Sequence, residues 1–223
     1  MKRFLKENGL TLFFGTILVL ALAGQSIAGM AEFNDNQVAE GQEAVTYLQY
    51  VTSSDFAVDI AENWQSEFLQ FFLYILATVW LLQRGSSESK ELDKSGRESD
   101  QNQQVGAYAG ADSPRWAHAT GLRLSIYSNS LGIVMGTIFC LSWFAQSVAG
   151  RAAYNAQQLS QREDPVSWTG YIVSPDFWSR TLQNWQSEFL AVAAMAAFSI
   201  YLRQRGSPES KPVGRPHSST GGE

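Results

Sequence analysis

The chain has 223 residues, of which only 17% are charged, and a formal net charge of −5 at pH 7. Its mean hydropathy of −0.14 resembles that of a soluble protein, yet four nearly uncharged apolar runs alternate with polar segments. The acidic balance excludes a basic stripe for binding nucleic acid. The polar segments are too short, and too rich in Gly, Ser and Gln, for a nucleotide-binding enzyme domain. The single cysteine excludes a disulfide framework within the chain.

The first apolar run, residues 10–27, follows three basic residues and has the form of a signal peptide. It ends in the pattern Gln-Ser-x-Ala-Gly, which fits cleavage. The third run, residues 131–148, leads into the same pattern in the middle of the chain, where a secretory signal has no use. We therefore expect the first run to be retained as a membrane-spanning helix.

The second apolar run introduces an internal repeat. The sequence Asn-Trp-Gln-Ser-Glu-Phe-Leu occurs at 63–69 and again at 184–190, 121 residues later. The same offset aligns residues 8–90 with 129–211 without a gap. A register kept over this length predicts a tandem duplication of a two-helix unit.

The fold class predicted from these patterns is all-α, a membrane-embedded four-helix bundle built from a tandem-duplicated two-helix hairpin. The predicted segments, in chain order, are a first two-span repeat (1–90, spans near 10–29 and 63–83), a flexible cytoplasmic linker (91–121), a second two-span repeat (122–211, spans near 126–150 and 184–203) and a disordered cytoplasmic tail (212–223).

The apolar core of the second span, residues 68–82, is only about 22 Å long, whereas the hydrocarbon layer needs about 30 Å. Residues 63–67 must therefore contribute to the span. This places Glu67, and Glu188 in the second repeat, near the outer interface.

Flanking charges predict the orientation, because cytoplasmic loops are enriched in Lys and Arg. The first outer loop, residues 29–63, carries seven acidic residues and no basic one. The segments before span one and after spans two and four are basic. We expect a multi-pass protein with both termini in the cytoplasm and two parallel halves related by a pseudo-twofold axis.

The recurring motifs resemble a known family. Each repeat has a first span that ends Gln-Ser-x-Ala-Gly and a second that opens with Asn-Trp-Gln-Ser-Glu-Phe-Leu, and Arg-Gln-Arg-Gly-Ser-Pro-Glu-Ser-Lys-Pro-Val closes the second repeat at 203–213. Together they resemble a bacterial family known only as a domain of unknown function (number 6766). The first copy departs from this pattern at Leu82, Ser87 and residues 91–92. The resemblance implies a small integral protein of the bacterial inner (cytoplasmic) membrane. It implies no activity, because the family has none assigned.

Glu67 and Glu188 are the acidic residues inside the predicted spans, where an ionisable side chain is a candidate functional group. Facing one another across the pseudo-twofold axis, the two carboxylates could share a proton. Alternatively, each could interact favourably with the positive end of its own helix dipole near the headgroups.

Four amides lie at the same predicted level as the two acids: Gln25, Gln146, Gln65 and Gln186. They could act as hydrogen-bonding glue between helices, or they could line an outward-facing vestibule. We favour glue, because few polar residues continue down the spans.

Two further sets of residues are predicted to shape the helices. The Asn that opens each repeated motif is a favoured N-cap, and the Trp beside it fits an outer aromatic belt; these predicted caps and interface anchors are Asn63, Asn184, Trp64 and Trp185. Small residues in spans one and three predict close helix packing at Gly132, Gly136 and Gly15.

The motif Arg-Gly-Ser-x-Glu-Ser-Lys follows each even-numbered span, at 84–90 and 205–211. It fits a helix stop, and it also fits a site for lipid phosphates.

We expect a non-enzymatic structural or accessory membrane protein, because no nucleophile, base and orienting group come together at matching positions. The alternative is a small channel or transporter that uses the paired intramembrane carboxylates. The expected partners are the lipid bilayer and a second copy of the chain. We expect no cofactor, metal or nucleic acid.

Overall fold

The structure, a computed structural model, describes residues 2–221, and all of the regular secondary structure among these residues is helical, with no strand. This confirms the all-α class. The helices are α1 (Lys2–Glu7), α2 (Gly9–Ala39), α3 (Tyr47–Val51), α4 (Ser54–Trp80), α5 (Gly121–Ser128), α6 (Ser130–Ser160), α7 (Trp168–Ile172) and α8 (Pro175–Tyr201). Two short 3-10 turns, Gly106–Tyr108 and Arg115–His118, lie between α4 and α5.

The helix boundaries recur with the offset of the sequence repeat. α6, α7 and α8 each begin and end 121 residues after α2, α3 and α4. Matching sequence therefore gives matching secondary structure along both halves of the chain.

Two of the described helices, α2 and α6, are long and apolar enough to cross a membrane. α4 and α8 have 27 residues each, which corresponds to about 40 Å. The polar Asn-Trp-Gln-Ser-Glu segment in each of them lowers its hydropathy. The structure thus contains two membrane-capable helices.

The helices are longer than the predicted spans. α2 and α6 continue about ten residues past them, to Ala39 and Ser160, and α4 and α8 begin nine residues before them. Asp55 and Asp176 lie in the first turns of α4 and α8, where a negative charge interacts favourably with the helix dipole.

The earlier start of α4 and α8 makes the predicted N-caps wrong. Asn63 and Asn184 lie inside these helices, and the Asn184 side chain donates to the carbonyl of Arg180 at 3.0 Å. The hydroxyls of Ser53 and Ser174 precede the two helices, and each accepts a hydrogen bond from the backbone N–H three residues later, at 3.2 Å. These serines cap the helices because they precede the first turn, where the free N–H groups lie.

The chain divides into two compact units. The first contains the described residues up to 60 together with 145–171, and the second contains 61–144 together with the residues from 172 onward. The first unit thus holds α1, α2, α3, the first residues of α4, the second half of α6 and nearly all of α7. The second unit holds most of α4, α5, the first half of α6, all of α8, the linker and the tail.

The first unit contains two equivalent corners, one where the chain turns back after α2 and one where it turns back after α6. The Asn34 amide donates to the carbonyl of Val45 at 3.1 Å and accepts from its N–H at 2.8 Å; Asn155 holds Val166 in the same way, at 3.0 and 2.9 Å. The hydroxyl of a buried tyrosine then lies directly against a helix glycine in each corner, Tyr50 on Gly29 and Tyr171 on Gly150. Only glycine leaves room for this contact.

In the second unit, α6 packs closely on α4 through glycine. A Cβ on Gly136 would lie 2.9 Å from the Phe72 ring, and one on Gly132 would lie 3.8 Å from Leu76. Packing is thus present at these two predicted positions. At Gly15, by contrast, no described atom lies within 4 Å of the corresponding point.

Residues 212–221, part of the predicted disordered tail, make specific hydrogen bonds in the second unit. Lys211 is 1% exposed, and its ammonium donates to the carbonyls of His217 and Ser219 at 3.1 and 2.9 Å. Burial, together with the neighbouring charges of Arg203 and Arg215, lowers the pKa of Lys211. The backbone carbonyls of the tail thus replace water around a buried cation.

Candidate functional site

Four polar side chains form two hydrogen-bonded pairs between α4 and α8, and we call them the polar layer: Glu62, Gln65, Arg180 and Trp185. Arg180 Nε donates to Glu62 Oε2 at 2.8 Å. Trp185 Nε1 donates to Gln65 Oε1, also at 2.8 Å. The four residues lie within about one turn of each other along their helices, so both pairs hold the same level of the second unit.

The Gln65–Trp185 pair is the more buried of the two, since Gln65 has no exposed surface. An indole N–H can only donate, so the amide oxygen must face it. The amide nitrogen of Gln65 is then buried with no partner among the described residues. Loss of the indole donor would leave the amide oxygen unsatisfied too, at a cost of about 1–3 kcal/mol.

The Glu62–Arg180 pair is partly open to solvent, with side-chain exposures of 15% and 35%. A charge-assisted hydrogen bond is stronger than a neutral one. Partial exposure reduces the desolvation cost that a fully buried ion pair carries. The ion pair can therefore stabilise the contact between α4 and α8.

An aromatic cluster from α6 and α8 lies beside the polar layer. The Trp143 ring lies 5.8 Å from Trp185 and stacks on Phe139 and Phe177 at 5.5 and 6.2 Å, measured between ring centroids. Trp178 packs edge-on against Trp143 at 6.1 Å. These rings cover one side of the Gln65–Trp185 pair.

The two predicted acids lie close to the polar layer but differ in exposure. Glu67 is exposed and Glu188 is half-buried. The negative charge of Glu67 acts on Glu188. The second unit therefore contains both acids, and one of them is open to its surroundings.

The four predicted amides do not form one cluster. Gln65 is fully buried in the second unit and Gln146 fully buried in the first, whereas Gln25 is half-buried and Gln186 is exposed. The repeat equivalent of the Gln65–Trp185 pair would join Gln186 to Trp64, but Trp64 is 43% exposed and donates no such bond in the described structure.

The residues that sequence reasoning missed are Glu62 and Arg180, which fell in the predicted outer loops. The 121-residue alignment of the two repeats does indicate these residues. It pairs Arg180 with Asp59 and Glu62 with Gln183. A reversal of charge between otherwise matching copies indicates that one copy makes an ion pair that the other cannot.

An apolar cavity of about 820 Å³ lies between α4 and α6 in the second unit. Its walls include Phe72, Leu76, Gly132 and Cys140. No group of three or more His, Cys, Asp or Glu side chains suited to a metal occurs among residues 2–221. The polar layer offers hydrogen bonding and charge pairing, and the cavity offers apolar contact.

Comparison with known proteins gives the family. A family model described as a domain of unknown function (DUF6766) matches residues 1–222. The chain belongs to this family. No curated protein and no solved structure matches it. The family carries no assigned activity.

Proposed function

We propose that the chain is a non-enzymatic structural or accessory protein of the bacterial inner membrane. In this proposal, α2, α4, α6 and α8 cross the bilayer and both termini lie in the cytoplasm. The length and apolar character of α2 and α6 support it, as does the about 40 Å length of the other two helices.

A tandem duplication of one hairpin is part of the proposal. The gapless 121-residue offset in sequence supports it, and so do the helix boundaries, which recur at that offset. Two parallel copies would carry their acidic loops to the outer side and their basic loops to the cytoplasmic side.

The observation that carries the accessory role is the pairing within the polar layer. Glu62 with Arg180, and Trp185 with Gln65, use their polar groups to join α4 to α8. In a bilayer such bonds hold helices together, each contributing about 0.6–2 kcal/mol. A transport path would instead keep a series of polar groups available to a moving ion.

Reporter fusions test the four-span topology. We expect alkaline phosphatase to be active when fused after residue 44 or 165, and green fluorescent protein to fluoresce when fused after residue 105 or 221. Active phosphatase after residue 105 would contradict the proposal, since that position would then lie outside.

A small channel or transporter is the second candidate, and the electrostatic effect of Glu67 on Glu188 favours it. The test is proton and cation flux into liposomes that contain the purified protein. Flux that disappears in Glu67→Gln plus Glu188→Gln, and persists in the exposed outer-loop control Glu43→Gln, would replace the accessory role by transport. Flux no greater than that of empty liposomes, across several ions and pH values, supports the accessory role.

A further inference from the structure

The loops that follow α4 and α8 have the same sequence motif and the same backbone. We call residues 83–90 loop 1 and residues 204–211 loop 2. Gly85 and Gly206 both have φ +84°, a conformation that favours glycine. In each loop a serine hydroxyl accepts from the first N–H at 2.9 Å: Ser89 from Gln83, and Ser210 from Gln204.

Loop 1 is covered by the tail. Gly85 N–H donates to the Thr220 hydroxyl at 3.0 Å, and the N–H of Gly221 donates to the carbonyl of Ser86, also at 3.0 Å. The ammonium of Lys211, the last residue of loop 2, donates to the carbonyl of Gly85. Gly85 and Ser86 are buried, and the Ser86 hydroxyl also bonds to that of Ser199 on α8 at 2.9 Å. A segment that folds around a lysine and offers a hydroxyl and the following N–H therefore fits loop 1.

Loop 2 presents the same backbone groups but is open. Gly206 is exposed, and no described atom lies within 4 Å of the position its Cβ would take. A cavity of about 610 Å³ lies against this loop, with Arg205, Gly206 and Pro212 in its walls. Gly206 is thus accessible in loop 2, whereas the Ser207 carbonyl accepts one hydrogen bond within the loop, from the N–H of Ser210 at 3.3 Å. A carbonyl has a second lone pair, which can accept a further bond.

The repeat itself explains why loop 2 stays open. The equivalents of Thr220 and Gly221, 121 residues earlier, are Ser99 and Asp100. The Ser99 hydroxyl accepts from the N–H of Asn102 at 3.2 Å, and the carbonyl of Asp100 accepts from Val105 N–H at 3.0 Å. These bonds fold the linker into local turns. The Ser99 hydroxyl is therefore bonded within the linker rather than to loop 2.

We propose that loop 2 is a docking site for a peptide segment of a partner protein that folds around a lysine and contains a Ser/Thr-Gly pair, as residues 211–221 do on loop 1. The hydroxyl would accept from Gly206 N–H, the next N–H would donate to the Ser207 carbonyl, and the ammonium would donate to the Gly206 carbonyl. The occupant is argued from the segment seated on the matching loop 1. This proposal adds to the proposed accessory role the chemistry of the partner segment that the protein would bind.

The test uses a labelled synthetic peptide with the sequence of residues 211–221 and the full-length protein in detergent. We expect saturable binding of one peptide per chain, with photo-crosslinks to residues 204–213. A peptide with Thr→Val at its tenth position loses one hydrogen-bond acceptor, so its affinity should fall roughly 2- to 10-fold.

The matched protein variants are Gly206→Ala and Gly41→Ala. Both glycines are exposed with positive φ, at +84° and +78°, and open surroundings, but only Gly206 lies in loop 2. We expect Gly206→Ala to abolish binding and Gly41→Ala to retain it. Equal affinity for the wild-type and Thr→Val peptides would overturn the proposal, as would crosslinks confined to loop 1.

Vesicles of anionic phospholipid test the alternative ligand for loop 2, a lipid headgroup. Binding to them that depends on Arg205, with no binding of the peptide, would identify loop 2 as a headgroup site and overturn the peptide proposal. Peptide binding does not require the chain to span a membrane. Its failure would therefore leave the accessory role standing, and failure of the topology test would leave the peptide result standing.

Discussion

Identical residues in the two repeats have different surroundings. Gln65 is buried and bonded to Trp185, whereas Gln186 and Trp64 are exposed. A neighbour contributes to this difference, because Trp143 lies against Trp185 and its repeat equivalent is the smaller, aliphatic Leu22. The role of a side chain here depends on which helices surround it as well as on its own motif.

The first residue-scale prediction concerns the buried donor. Trp185→Phe removes the N–H that Gln65 accepts and should lower the free energy of unfolding by about 1–3 kcal/mol. Trp64→Phe changes the same motif at an exposed position and should cost less than about 0.5 kcal/mol. Reversible unfolding in mixed micelles measures both. Equal losses would mean that the hydrogen bond contributes nothing beyond indole packing.

A second prediction concerns alkaline pH. Burial, then the negative charges of Asp59, Asp55 and Glu32, raises the pKa of Tyr50 above its ordinary value of 10.0. A raised pKa keeps the folded state protonated after the unfolded chain has ionised. The stability contributed by the neutral phenol is therefore complete below pH 10 and is lost as the pH rises through the higher folded-state value.

Thermal unfolding between pH 8 and pH 11.5 tests this dependence. We expect the wild-type unfolding temperature to fall above pH 10, and Tyr50→Phe to show a smaller fall, because phenylalanine cannot ionise. Tyr108→Phe alters an exposed tyrosine of the linker and serves as the control. The same alkaline slope in all three proteins would show that Tyr50 is not responsible.

At the scale of elements, the apolar runs and the repeat offset together predict where helices lie, but not where they end. The polar residues 54–62 and 175–183 look like loops by hydropathy. They are helical because Ser53 and Ser174 cap them and an aspartate follows in the first turn. Hydropathy alone does not register capping, so the predicted starts of α4 and α8 were nine residues late.

The polar layer could be predicted only in part. Gln65 and Trp185 were singled out by the repeated motif, although their pairing to each other was not. Glu62 and Arg180 were missed because they belonged to segments predicted as loops. The tail was predicted to be disordered because its composition, like that of the linker, is polar with few large apolar residues. Composition does not reveal that the buried Lys211 is surrounded by backbone carbonyls.

The element-scale prediction concerns the contact between α6 and α4. Gly136→Val places a branched side chain against the Phe72 ring and should destabilise the protein by about 1–3 kcal/mol through overpacking. Gly15→Val makes the same change at the repeat equivalent, where no described atom is near, and should have a smaller effect. Unfolding in mixed micelles gives both values, and Phe72→Leu should partly rescue Gly136→Val. Destabilisation of equal size at both glycines would argue for a helix-propensity effect instead.

At the scale of the whole molecule, whether an exposed apolar surface is favourable depends on whether water or lipid surrounds it. Residues 9–24 of α2 are almost entirely apolar and exposed, and the largest side chains among them include Phe13, Phe14 and Leu20. Such a surface is unfavourable in water and suits hydrocarbon. The proposed membrane location accounts for it without any partner inside the chain.

The native cysteine offers a direct test at this scale. Cys140 is exposed in the chain and lies in the middle of the proposed α6 span. A membrane-impermeant maleimide should not label it in intact vesicles, and should label it after denaturation in detergent. Ala152→Cys, made in a Cys140→Ser background, lies near the outer end of α6 and should react from outside. Rapid labelling of Cys140 in intact vesicles would place it in water.

The covering of loop 1 also sets an order of events during synthesis. Residues 216–221 follow both loops in the chain, so loop 1 leaves the ribosome uncovered and stays so while the whole second repeat is translated. Since chains elongate at about 5–20 residues per second, the roughly 130 residues in between take many seconds. The final cover over loop 1 thus forms only when the second repeat has been made, and a nascent chain that stalls earlier would leave that loop uncovered.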